Sequence, residues 1–146
     1  MLSKQDITAL IPHRDPFLWV DDVVEVTEQK IHARKFVDPA CDVFRGHYPN
    51  RPVLPGVLLC EAAMQAGAIL IAHLPEGAIP AGHVPVATRI NNVKFKQMVR
   101  PGDTLDIDVE LTERLANAFF LSARVKVAGK TAAQLDFACT TAPPET

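Results

Sequence analysis

Residues 57–72, VLLCEAAMQAGAILIA, form the longest apolar stretch of the chain, and its side chains are apolar around nearly every face of a helix. A helix of that kind cannot lie on a surface, so other elements must surround it. At 16 residues, interrupted by Glu61 and Gln65, it is short for a membrane span of about 20 residues and reads as a buried helix. A short helix over residues 4–10 precedes it, with Ser3 and Asp6 in capping-box spacing and Pro12 as the stop. Residues 17–27 and 30–38 read as two strands of a hairpin, the second alternating Ile31, Ala33 and Lys35 against Lys30, His32 and Arg34. Residues 83–97, 104–114, 117–129 and 130–141 read as four more strands. Turn residues join them at Pro101-Gly102-Asp103, Leu115-Ala116-Asn117 and Ala128-Gly129-Lys130, and the four are expected to run as an antiparallel meander.

This order predicts an α+β fold, a curved antiparallel sheet wrapped around one apolar helix. It leaves a sheet edge that a second copy of the chain is placed to pair with. A length of 146 residues fits a single domain over 1–146, with 142–146 expected to fray. Fifteen basic and 17 acidic residues give a net charge of −2, so no global field recruits nucleic acid or an anionic membrane. Cys41, Cys60 and Cys139 have neither disulfide-framework nor zinc-site spacing, and a reducing, cytoplasmic setting is the simplest expectation. The first residues, MLSKQDITAL, do not read as a signal peptide.

The chemistry concentrates just before and within the apolar helix. Glu61 is a carboxylate among Leu58, Leu59, Cys60, Ala62, Ala63 and Met64, costly there unless paired or protonated, and burial of that kind favours the protonated acid. Gln65, one turn on, can hydrogen-bond Glu61 and orient it; a structural pairing of Glu61 with Arg45 or Arg51 is the alternative. His47 sits in a loop stiffened by Pro49, Pro52 and Pro55, which hold whatever it presents in one place. Gly56 follows at the first turn of the helix, where its N–H faces a ligand oxygen without a side chain in the way. His13, His32, His73 and His83 lack metal-ligand spacing and read as structural or solvated.

These residues resemble a known family. GHYPNRPVLPGVLLCEAAMQAGAIL is similar to the signature of the (3R)-hydroxyacyl-[acyl-carrier-protein] dehydratases of the FabZ type, G-H-F-P-x-x-P-V-M-P-G-V-L-x-x-E-A-x-A-Q. The upstream PHRDPFLWVD (12–21) and downstream KFKQMVRPGD (94–103) extend the likeness over most of the chain. Tyr48, Leu54 and Met64 depart from it, standing where phenylalanine, methionine and alanine are usual. The resemblance implies a hot-dog fold, a dimer with two active sites at its interface, and often a trimer of dimers, a hexamer.

It further implies that His47 of one subunit works as base with Glu61 of the other as acid or water holder. Gly56, Val57, Tyr48 and Gln65 make up the expected oxyanion and substrate-binding set. The reaction implied is dehydration of a 3-hydroxyacyl chain on acyl carrier protein, for which no metal or organic cofactor is expected. Arg89, Lys94, Lys96 and Arg100, a run of bases with no acid between 89 and 100, are the candidate docking patch for that acidic carrier. The acids that follow, Asp103, Asp106, Asp108, Glu110 and Glu113, equally offer to neutralise the patch across adjacent strands. A thioesterase, an isomerising dehydratase (which carries Asp at the position of Glu61) and a non-catalytic acyl-binding subunit are the competing readings.

Overall fold

The computed structural model of the chain describes residues 1–143. Its elements run α1 (Lys4–Leu10), β1 (Asp22–Val26), β2 (Lys30–Phe36), α2 (Val43–Gly46), α3 (Gly56–Ala72), β3 (Val84–Phe95), β4 (Thr104–Leu115), β5 (Ala118–Val127) and β6 (Lys130–Ala142). Six antiparallel strands form one curved sheet in the order β1-β2-β4-β5-β6-β3, and α3 packs on strands β2 to β6. The expected α+β architecture is therefore present.

Local chemistry explains the elements. Ser3 Oγ accepts from the Asp6 N–H while the Asp6 carboxylate accepts from the Ser3 N–H, a capping box that starts α1 where the sequence places it. Ala128 and Gly129 both adopt positive φ, the geometry that a tight hairpin between β5 and β6 requires. Along α3, every residue from Gln65 to Ile71 is buried, and Gly67 lets the helix approach β6 closely. A Cβ at Gly67 would sit 2.6 Å from the Phe137 ring.

Four expectations need correction. The last four strands are not a simple meander: β4, β5 and β6 follow one another, but β3 pairs with β6 at the far edge. The 96–103 connection is the cause. Val99 is buried with its carbonyl accepting the Leu54 N–H, and Gly102 and Asp103 exchange backbone hydrogen bonds with Val37, which brings β4 in beside β2.

Residues 17–20 are not strand either. The Trp19 N–H and the Phe17 carbonyl are bonded by the Gln65 side chain instead of by a neighbouring strand. Within the loop at 39–56 a single helical turn, α2, forms around the buried Phe44. Finally, Ala142 ends β6 rather than fraying, whereas 144–146 lie outside the described residues.

Candidate active site

His47 ends α2 in an extended conformation, and the loop after it is folded back on itself. Tyr48 takes a left-handed φ of 53°, its carbonyl accepts the Arg51 N–H, and its ring stands edge-on to the imidazole at 4.8 Å. The His47 Nδ1 lies 2.7 Å from the Val53 carbonyl. A carbonyl only accepts, so Nδ1 carries the hydrogen and the neutral ring presents a bare Nε2 lone pair. The proline-rich loop thus fixes both the place and the tautomer of a base.

Leu54 is buried and anchored by the Val99 carbonyl, and Pro55 delivers the chain to the first turn of α3. The Gly56 and Val57 N–H groups have no acceptor among the described residues, leaving two donors at the positive end of a 17-residue helix. His47, Gly56, Val57, Phe95 and Met98 line a groove of about 410 Å³. The Phe95 ring covers Gly56 so closely that a Cβ there would lie 2.8 Å from it. Any side chain at 56 would have to displace the Phe95 ring, an interaction the sequence did not signal. Tyr48, 68% exposed, stands outside the groove lining.

Glu61 lies on a stripe of α3 with Val57, Leu58 and Met64, the residues after Gly56 in its first half that are not fully buried: Val57 is exposed, and Leu58, Glu61 and Met64 are part-buried. Its side chain is 21% exposed, so in a single chain it is not sealed in the core. Gln65 fixes one of its oxygens. The Gln65 Oε1 accepts the Trp19 N–H at 2.7 Å and the Nε2 donates to the Phe17 carbonyl at 2.8 Å, so backbone partners define which end of the amide is which. The same Nε2 donates to Glu61 Oε2 at 2.9 Å. The expected pair is formed.

Neither arginine takes the alternative role: Arg45 pairs with Asp42, and no ion pair joins Arg51 to Glu61. The ionisable group facing Glu61 is instead His13, whose Nε2 lies 3.7 Å from the same Oε2. From the sequence alone it is a loop histidine of structural or solvated kind. No hydrogen bond or ion pair joins His47 to Glu61 in one chain, and Glu61 does not line the groove that holds His47.

Arg89, Lys94, Lys96 and Arg100 are all exposed, and none forms an ion pair among the described residues. The acids on β4 do not neutralise them. Asp106 pairs with His32, Asp108 with Lys126 and Glu110 with Lys30, all on β2 or β5, because β3 and β4 are not neighbours. Thiol chemistry finds no support: burial pushes the Cys139 thiol up to about 12 and raises that of Cys60. No cluster of His, Cys, Asp or Glu able to hold a metal occurs among the described residues.

Comparisons with known proteins bear on the family and the fold. Residues 11–136 match the FabA-like domain family. The 3-hydroxyacyl-[acyl-carrier-protein] dehydratase FabZ of Clostridium perfringens is 42% identical over 132 residues, covering 90% of this chain and 93% of that one. The protein of the same name from Chloroflexus aggregans is 44% identical over 144 residues, covering 96% and 97%. Among solved structures, the dehydratase heterocomplex ApeI:P from Xenorhabdus doucetiae superposes with a TM-score of 0.78 over 96% of this chain and 91% of that one at 16% identity, which speaks to the fold alone. The chain belongs to the FabA-like domain family, in the company of the FabZ dehydratases.

Proposed function

We propose that this chain dehydrates (3R)-3-hydroxyacyl-acyl carrier protein to the trans-2-enoyl thioester in fatty-acid or related lipid biosynthesis, as a single hot-dog domain in a cytoplasmic setting. The observation that carries the reading is the tautomer lock on His47: an imidazole with Nδ1–H held by the Val53 carbonyl has its basic Nε2 free beside two unused helix N–H donors. His47 Nε2 takes the proton from the carbon next to the thioester carbonyl. The Gly56 and Val57 N–H groups receive the developing enolate oxygen, and one such donor is worth roughly 2.7 to 4 kcal/mol in the transition state. Because Glu61 Oε2 accepts from Gln65, the acid proton belongs on Oε1. From there it passes to the 3-hydroxyl, the carbon–oxygen bond breaks, and water departs as the double bond forms. Proton exchange with solvent returns His47 to the neutral form and Glu61 to the acid. Tyr48 supports the imidazole from its edge.

Two copies are needed. The strand β3 is a sheet edge that leaves Val86, Ile90, Val93 and Phe95 exposed, and the first half of α3 leaves Val57 exposed with Leu58 and Met64 part-buried beside it. Pairing of β3 with its counterpart in a second copy covers these apolar residues and brings Glu61 of one subunit to His47 of the other. Arg89, Lys94, Lys96 and Arg100, unpaired on and beyond that strand, receive the acidic carrier.

The test follows enoyl absorbance with 3-hydroxyacyl thioesters of acyl carrier protein and of coenzyme A. Turnover by the wild type, lost in both His47→Ala and Glu61→Gln with fold and dimer intact, is the expected result; a silent wild type on both thioesters overturns the reading. Charge reversal at Lys94 and Lys96 is expected to raise KM for the carrier thioester and to leave that for coenzyme A unchanged.

A further inference from the structure

The cluster around Glu61 contains one titratable group that the mechanism above does not use. His13 lies in the connection after α1, and its backbone is pinned: the Arg14 guanidinium donates to the carbonyls of Thr8, Ile11 and His13 at 2.7 to 2.8 Å. Its ring is 27% exposed, yet Nδ1 is fully buried with no hydrogen-bond partner. Nδ1 lacks a partner in either tautomer, whereas Nε2 has a carboxylate oxygen in front of it, so the neutral ring places its hydrogen on Nε2, where an acceptor meets it. That N–H faces Glu61 Oε2 at 3.7 Å, longer than a direct hydrogen bond and short enough to act electrostatically or through one water.

We propose that His13 is a positioning residue for Glu61, an inference that rests on the dehydratase reading. Gln65 and His13 both face the same carboxylate oxygen, Oε2, which leaves Oε1 free for the substrate hydroxyl. When Glu61 gives up its proton to the departing hydroxyl, negative charge develops on the carboxylate, and donors already aimed at it stabilise that charge without rearranging. The same two residues tie the acid to the 13–19 segment, since Gln65 also holds Phe17 and Trp19. The acid is thus fixed by the connection after α1 as well as by its own helix.

The experiment compares wild type, His13→Phe and His13→Gln by steady-state kinetics on a 3-hydroxyacyl thioester, with melting temperature and dimer size measured alongside. It adds the imidazole ¹⁵N spectrum of the wild type. The phenylalanine variant keeps the bulk and loses the donor; the glutamine variant places an amide N–H close to the position of Nε2. Expected are a roughly 10- to 100-fold fall in kcat with KM nearly unchanged for His13→Phe, recovery of most of it in His13→Gln, and the Nε2–H tautomer for His13. Unchanged kcat in His13→Phe with an active wild type overturns this proposal alone. So do the Nδ1–H tautomer, and a loss shared by both variants together with folding or the dimer. A wild type silent on thioesters instead overturns the dehydratase reading on which the proposal stands.

Discussion

The two halves of α3 are built for different purposes. From Gln65 to Ile71 every residue is buried against the sheet, and Gly67 is small because the Phe137 ring leaves no space for a Cβ. From Gly56 to Met64 the same helix exposes a stripe, with Val57 70% accessible and Glu61 on its line, and its first two N–H groups are unpaired. The second half lies wholly in the core, where the first half also buries Leu59, Cys60, Ala62 and Ala63. The first half carries in addition two free N–H donors, an acid and exposed apolar surface, which substrate and a second copy complete on the reading proposed above. Gln65 stands at the join and serves both, bonded to the backbone of Phe17 and Trp19 on one side and to Glu61 on the other.

The comparison is broken most directly at its chemical end. His47→Ala and Glu61→Gln are each expected to lower kcat by about 10²- to 10⁴-fold, as measured by enoyl absorbance. Thermal unfolding should show a change of no more than about 1 kcal/mol for the lost His47 to Val53 hydrogen bond. A large loss of stability in either would mean that the open half also holds the fold. At the join, Gln65→Leu should cost both properties. It orphans the buried Trp19 N–H, at roughly 1–3 kcal/mol, frees the part-buried Phe17 carbonyl, and releases Glu61. Denaturant unfolding and kcat are expected to fall together, and a variant losing only one of them would divide the helix elsewhere than at residue 65.

In the buried half, Gly67→Ala is expected to destabilise by about 1–3 kcal/mol through overpacking against Phe137, with kcat per folded molecule unchanged. The smallest effect lies outside the helix and serves as a control. Hydrogen bonds from the Ser3 backbone and hydroxyl hold the Asp6 carboxyl below its ordinary 3.8. A lowered folded-state value means stability fully present above the unfolded value and lost as pH falls through the folded one. The melting temperature of Asp6→Asn should therefore lie below that of wild type at neutral pH, and the gap should close as the solution is acidified below about pH 4. A gap constant with pH would assign the capping box no electrostatic share.

Much of this division was legible in the sequence. An all-round apolar helix demanded a sheet about it, and Gln65 one turn after Glu61 forecast their hydrogen bond. What was not legible depends on contacts distant along the chain. The place of β3 at the edge is set by backbone bonds of the 96–103 connection to Val37 and Leu54, which no periodicity records. Residues 17–20 carry a strand composition, but a single buried amide 45 or more positions away meets their polar groups. His13 was set aside because a histidine in a loop shows neither its buried Nδ1 nor its neighbour from α3 until the chain is folded. Phe95 over Gly56 is of the same kind, since the glycine announced freedom for a ligand and the aromatic ring claimed part of that space.

The central claim is that one working site needs His47 from one copy and Glu61 from another. It is tested most directly by mixing: His47→Ala and Glu61→Gln chains carrying different affinity tags are dissociated, recombined and purified through both tags. The account predicts that two inactive proteins regain activity, about a quarter of the wild-type rate in the unsorted mixture, since each mixed dimer rebuilds one intact site of two. Mixed dimers that form and remain inactive would contradict it, and would place the acid and the base within a single chain.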